Sequence, residues 1–170
     1  MLSAIVAIGN NNEIGLNNEL IYSSKKDMDR FVEKTTGKTV LMGYNTWKSL
    51  KRPFLKGREN VVVVRDRESI PLDLKKAILD VDNPEQLRWI SEEALMASIP
   101  SMRKQETEFV IMGGAHIYEI TYPYLDKLYI SIFDKESEAD KFFPAINWNL
   151  WNFTYSLNTE DRVLFIDMER

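Results

Sequence analysis

Asp27 is the acidic side chain in this sequence whose surroundings ask most for a chemical role. The segment 25–36 (KKDMDRFVEKTT) has a helical pattern. At about 100° per residue, Ser24, Asp27, Met28, Phe31, Val32 and Thr35 share one arc, and Lys26, Arg30, Glu33 and Lys34 the other. The first arc is expected to bury against a sheet, with Asp27 at its margin. A carboxylate there is costly unless something pairs with it. Two readings fit. Ser24 and Asp27 match a capping box, in which the carboxylate only satisfies backbone N–H groups. Alternatively, Asp27 is the single charged anchor of an apolar pocket, aimed at a cationic or amidine-like ligand.

A second feature occurs twice. A strand breaks at glycine into a helix start at 42–46 (MGYNT) and again at 112–115 (MGGA). Helix N-termini present unpaired N–H groups and partial positive charge, and glycine lets a ligand approach the backbone. Two such ends on neighbouring parallel strands could grip a pyrophosphate. Neither is a Walker motif, and the GxGxxG fingerprint is absent. Any parallel α/β protein has several such turns. Lys48, Lys51, Arg52, Lys56 and Arg58 form the nearest thing to a basic patch; it suits a small anion, or is a solvated loop. His116, the only histidine, falls in the first turn of a helix. Positive charge there disfavours a protonated ring, so it reads as a surface or phosphate-facing residue, not a general base.

These residues need a scaffold, and the chain supplies strands alternating with helices. Strand 1–8 leads into a polar loop, 9–24 (GNNNEIGLNNELIYSS), and then the helix carrying Asp27. Strand 39–43, a short helix at 47–50 stopped by Arg52-Pro53, and strand 60–64 follow. Residues 77–81 read as a strand. Asn83-Pro84 reads as a helix start, with the helix passing through Leu87, Ile90, Ala94 and Leu95 to end near Pro100. Strand 109–112, helix 115–121, strand 125–133 and two antiparallel edge strands, 153–157 and 162–168, complete the pattern. This predicts one α/β domain over 1–170. Its mostly parallel sheet of about eight strands has an antiparallel C-terminal edge and helices on both faces.

Composition narrows the classes. The chain has 170 residues, 44% apolar and 28% charged, ordinary for one globular domain. A net charge of −4 argues against general nucleic-acid binding. No apolar run approaches the roughly 20 residues of a membrane span, and the N-terminal run is too short for a secretory signal. Cysteine is missing, which excludes disulfides and thiolate zinc sites, and a single histidine makes a metal site unexpected. A cytoplasmic monomer is expected.

IGLNNEL at 14–20, DMDRF at 27–31, VLMGYNTWKSL at 40–50, RPFLKGREN at 52–60, VIMGGAHIY at 110–118 and LYIS at 128–131 together resemble dihydrofolate reductase. The resemblance covers essentially the whole chain. It implies NADPH-dependent reduction of 7,8-dihydrofolate to 5,6,7,8-tetrahydrofolate, with an adenosine-binding lobe over roughly 38–106. By resemblance, Asp27 anchors the pterin and helps a ring nitrogen acquire its proton. Ile5, Met28, Phe31, Leu50, Leu55 and Met112 match apolar pocket positions. Arg58 matches the arginine that holds the glutamate α-carboxylate, with Arg52 a second candidate. Ser131 stands where a hydroxyl links Asp27 to the pterin, and Tyr118 lies near the nicotinamide.

For the cofactor, the resemblance implies that Ala7, Ile14 and Gly15 meet the nicotinamide half. Gly43, Asn45, Thr46, Gly113, Gly114, Ala115, His116 and Ile117 form the pyrophosphate cradle, with a cis peptide between Gly113 and Gly114. Val63 and Val64 lead to the adenosine side. The chain departs from the pattern at three places. Ile21-Tyr22 replaces Pro-Trp, leaving Tyr22 as a catalytic candidate through its hydroxyl. Tyr44 stands where many relatives carry an arginine against the 2′-phosphate, and Arg65 is expected to substitute. One extra residue falls within 54–56. The competing functions are a same-fold reductase of another pyrimidine or pterin, and a non-catalytic folate- or nucleotide-binding protein.

Overall fold

The computed structural model describes residues 1–83 and 86–170, so Pro84 of the expected helix start lies outside the described residues. In chain order the elements are β1 Leu2–Ile8, β2 Glu13–Leu16, β3 Glu19–Leu20, α1 Lys25–Thr35, β4 Thr39–Gly43, α2 Tyr44–Ser49, β5 Glu59–Val64 and α3 Leu72–Leu79. They continue with β6 Leu87–Ser91, α4 Glu92–Lys104, β7 Phe109–Ile111, α5 Ala115–Thr121, β8 Lys127–Phe133, β9 Lys141–Phe142, β10 Asn152–Asn158 and β11 Val163–Glu169.

Eight strands form one sheet in the order β10-β11-β8-β1-β7-β4-β5-β6. From β8 to β6 the neighbours are parallel; β11 runs antiparallel to both β8 and β10. Alternation along β1 sends Leu2, Ala4, Val6 and Ile8 to one face, under Leu95, Ile99 and Met102 of α4 and Ile117 of α5. Ile5 points to the other face, among Val40, Met42, Val62, Trp47 of α2 and Leu74 of α3. Covered on both sides, the central strands read as near-continuous apolar runs. The parallel strands share one carboxyl edge, where ligands of open α/β sheets bind. The turns after β4 and β7, and Arg65 after β5, lie on that edge.

Four expectations need correction. Residues 77–81 are not a strand: α3 ends at Leu79. Leu74, Ala77, Ile78 and Val81 have i, i+3, i+4, i+7 spacing and all pack into the same core. Residues 87–91 are strand β6, paired with β5, and the helix begins only at Glu92, capped by Ser91 Oγ accepting from Ala94 N at 3.2 Å. The loop 9–24 carries the β2–β3 hairpin, which joins β9 in a small second sheet. On α1, Arg30 is buried, whereas Met28 and Val32 are 45% and 51% exposed.

Candidate active site

Asp27 sits half-buried in the first turn of α1. Its N–H donates to Ser24 Oγ at 3.2 Å, so serine caps the helix as the sequence suggested. The carboxylate lies near the Ser131 hydroxyl of β8, close enough for that group to act on its ionisation. Ser131 lies beside Ala7 of β1 in the parallel register. Burial pushes the Asp27 carboxyl above its ordinary range, while the Ser131 hydroxyl and the nearby Arg30 guanidinium pull the other way. The result is an ionisable group against a largely apolar wall. Ile5, Phe31, Leu50, Leu55 and Met112 belong to one packed cluster, whereas Met28 of α1 is exposed. Tyr118, fully enclosed, donates to the Ile5 carbonyl at 2.7 Å and feels the Asp27 charge.

Arg58 closes the far side. Its guanidinium lies 5.6 Å over the Phe31 ring, Nε donates to Thr35 Oγ1 at 2.8 Å and Nη1 to the Lys56 carbonyl at 2.7 Å. Nη2 has no protein partner among the described residues. Burial lowers its pKa without approaching neutrality of the group. Arg52 is exposed in the preceding loop.

Tyr22 is enclosed, and its ring stacks on Phe133 with centroids 5.4 Å apart. Its hydroxyl donates to Glu13 Oε1 at 2.8 Å, and burial together with that carboxylate pushes its pKa up to about 12. Glu13, 1% exposed, also accepts from the N–H groups of Asn11 at 2.7 Å and Ser137 at 3.1 Å. A Cβ at Gly9 would overlap both the Glu13 carboxylate and the Tyr22 hydroxyl. Asn17 N–H donates to Asp140 at 3.1 Å and Asp140 N–H to the Gly15 carbonyl at 3.0 Å, binding this loop to the segment before β9.

On the opposite side, Gly43 and Gly114 are the N-caps of α2 and α5, neither with a side-chain cap bond. They meet: Gly43 N–H donates to the Gly113 carbonyl at 2.8 Å, and the Gly113-Gly114 peptide is cis. A Cβ on Gly43 would lie 3.3 Å from Ile117 Cγ1, and one on Gly113 or Gly114 within 3.2 Å of Thr46 Oγ1. The cradle admits backbone approach only because these residues are glycine. Ala115 is half-buried, Ile117 buried and Asn45 exposed around it. Beyond lies a cleft lined by Arg65, Glu92, Glu93, Met96 and His116. His116 Nε2 is 2.9 Å from Glu92 Oε2. Val63 and Val64 are buried in the sheet beneath it. Tyr44 turns away from the cleft's charges, its hydroxyl donating to Asp73 at 2.8 Å. Ile14 and Gly15 are buried in β2.

Two participants, Glu13 and Arg30, were not foreseen. The only local signal for Glu13 is an acid placed directly before the apolar Ile14. Arg30 gives none, because its partners lie on β8 and β11.

A family model described as dihydrofolate reductase matches residues 1–164. The chain is similar to the dihydrofolate reductase of Haemophilus influenzae, 30% identical over 153 residues, covering 90% of this chain and 84% of that one. It is 33% identical over 150 residues to that of Neisseria meningitidis serogroup B, covering 88% and 83%. Among solved structures, it resembles dihydrofolate reductase from Enterococcus faecalis complexed with NADP(H) and RAB-propyl. The TM-score there is 0.74 at 25% identity, over 100% of this chain and 96% of that one.

Proposed function

The chain belongs to the dihydrofolate reductase family, and we propose how its own residues carry that family's reaction, NADPH-dependent reduction of 7,8-dihydrofolate to 5,6,7,8-tetrahydrofolate. The observation that carries the reading is the half-buried Asp27 carboxylate, beside the Ser131 hydroxyl at the edge of an apolar wall. An anion there accepts from the pterin 2-amino group and its neighbouring ring N–H, and favours the protonated ring over the neutral one. Ser131 bridges Asp27 to the pterin. Ile5, Met28, Phe31, Leu50, Leu55 and Met112 exclude water from its faces. Arg58, fixed on Phe31 and Thr35, offers its remaining N–H edge to the glutamate α-carboxylate, with Arg52 outside it.

NADPH, when bound, supplies the hydride. The turns at Gly43-Thr46 and Gly113-Ile117 approach so closely that a Cβ on Gly43, Gly113 or Gly114 would press on Ile117 or Thr46, and the helix N-termini they bring together are read as the seat of the pyrophosphate. Ala7, Ile14, Gly15 and Tyr118 are read as flanking the nicotinamide, and Arg65 with His116 as facing the 2′-phosphate in the adenosine-binding lobe, roughly 38–106. Tyr22 is read as acting through the closing loop. That loop, braced on Glu13 and Asp140, keeps water from the reacting pair and fixes their approach. No helix among the described residues is long and apolar enough to cross a membrane; the same reading takes the protein as a cytoplasmic monomer, which fractionation and sedimentation check.

The direct experiment mixes purified protein, NADPH and dihydrofolate and follows nicotinamide absorbance. Oxidation only with dihydrofolate is the expected result. Consumption with a pyrimidine substrate instead, or with neither, would overturn it.

A further inference from the structure

Arg30 lies one turn beyond Asp27 on α1, on the arc where solvent was expected, yet it is only 9% exposed. Its guanidinium engages two strands of the sheet. Nη2 donates to the Ile166 carbonyl at 2.9 Å and to Asp167 Oδ1 at 2.5 Å on β11. Nη1 donates to Ser131 Oγ at 3.3 Å on β8. Ser131 is the same hydroxyl that lies near the Asp27 carboxylate. A hydroxyl oxygen that accepts a guanidinium N–H must turn its own hydrogen elsewhere. Here the acceptor it meets is the Asp27 carboxylate.

The charges around Arg30 point the same way. Asp167 also receives Lys34 Nζ at 2.6 Å, so two cations converge on one carboxylate. The Arg30 charge also acts on Asp27, one turn earlier on α1. Phe165 of β11 supplies only its ring face, 5.2 Å from the guanidinium carbon. Tyr129 of β8 and Tyr118 of α5 are held neutral by burial. Glu108, near Tyr129, is engaged by Lys38 at 2.6 Å and by the Tyr129 hydroxyl. A buried guanidinium with only one full-time anion has charge to share with a carboxylate one turn away.

We propose that Arg30 is a positioning residue for the reductase reaction: by donating to Ser131 Oγ it turns that hydroxyl's own hydrogen toward Asp27, and it sets a buried positive charge one turn from the anchor. This rests on the reading of Asp27 as the pterin anchor. It extends the pH range over which that anchor is an anion, in opposition to the burial that would neutralise it.

The test is a carbon-13 NMR titration of the Asp27 carboxyl in the free protein, its resonance assigned with Asp27→Asn. Arg30→Met is expected to raise the midpoint by about one pH unit or more, the scale of losing one nearby opposite charge. An unmoved midpoint in folded Arg30→Met reduces Arg30 to a tie for Asp167 and overturns the proposal. If Arg30→Met does not fold, the double variant Arg30→Met with Asp167→Asn removes both members of the pair together. Losing Asp167 alone would lower the Asp27 midpoint, so the double variant is read against Asp167→Asn: a higher midpoint in the double variant belongs to Arg30, and an equal or lower one overturns the proposal. The titration needs no turnover. A protein inactive on dihydrofolate would therefore sink the functional reading without deciding the role of Arg30.

Discussion

The Tyr22 hydroxyl donates to Glu13 at 2.8 Å, joining the two ends of the loop that precedes α1 through a carboxylate that is itself buried. Tyr22→Phe leaves Glu13 one donor short. Stability is expected to fall by about 1–3 kcal/mol, the usual scale for a buried acceptor losing a partner. For a chain of this length that is roughly 2–12 °C in Tm. Turnover should fall less than about tenfold. A loss of about 10² or more at unchanged Tm, the scale of a lost acid–base group, would instead put the hydroxyl in proton delivery.

Acid sensitivity follows from the same carboxylate. Hydrogen bonds hold Glu13 below its ordinary range despite burial, and Glu108, Asp126 and Asp167 are lowered by their partners. A depressed folded-state value contributes stability above the unfolded value, and that stability is lost as pH falls through the folded one. Tm should therefore drop steeply below about pH 4, where such carboxylates ordinarily titrate. Tyr22→Phe should flatten part of that drop. Parallel Tm–pH curves for the two proteins would contradict the role given to Glu13.

Arg58→Ala should raise KM for dihydrofolate tenfold or more, since a charge-assisted pair contributes about 1.5–3 kcal/mol. A dihydropterin lacking the glutamate should bind both proteins alike. Equal losses on both ligands would mean that Arg58 supports the Phe31 wall, which its position over that ring also permits.

Arg65 shares its cleft with His116, but also with Glu92 and Glu93. Discrimination between NADPH and NADH therefore falls to Arg65 more than to Tyr44, whose hydroxyl is committed to Asp73. Arg65→Ala should weaken NADPH binding about tenfold or more and leave NADH nearly unchanged. Equal weakening of both, measured by calorimetry, would show that Arg65 meets something other than the 2′-phosphate.

Much of this architecture was legible because it is local. The runs at Val40, Val61 and Val110 end at glycine or charge, and each became a strand of the parallel sheet. Ser24 announced the start of α1. Short apolar runs deceived where two periods overlap. Ala77 to Val81 looks like a strand until Leu74 is counted, and Leu87 to Ser91 looks helical until β5 pairs with it. Arg30 and Glu13 were illegible for another reason. Asp167 lies 137 residues from Arg30, so nothing in its neighbourhood signals burial, and Ser137 lies 124 from Glu13, whose one local hint is the apolar Ile14 after it.

The most direct measurement is the pH–rate profile of Asp27→Asn, taken with its Tm. Asparagine keeps the shape but removes the charge. Activity at neutral pH should fall by about 10² or more, and should climb as pH drops, because substrate protonated in solution bypasses the missing anion. Burial raises the Asp27 carboxyl in the folded protein, so its stability contribution is full below the unfolded value and is lost as pH rises through the folded one. The variant should therefore match or exceed the parent's Tm at neutral pH, and lose that advantage in acid. A near-normal rate at neutral pH with a lowered Tm would make Asp27 a structural residue and contradict the account.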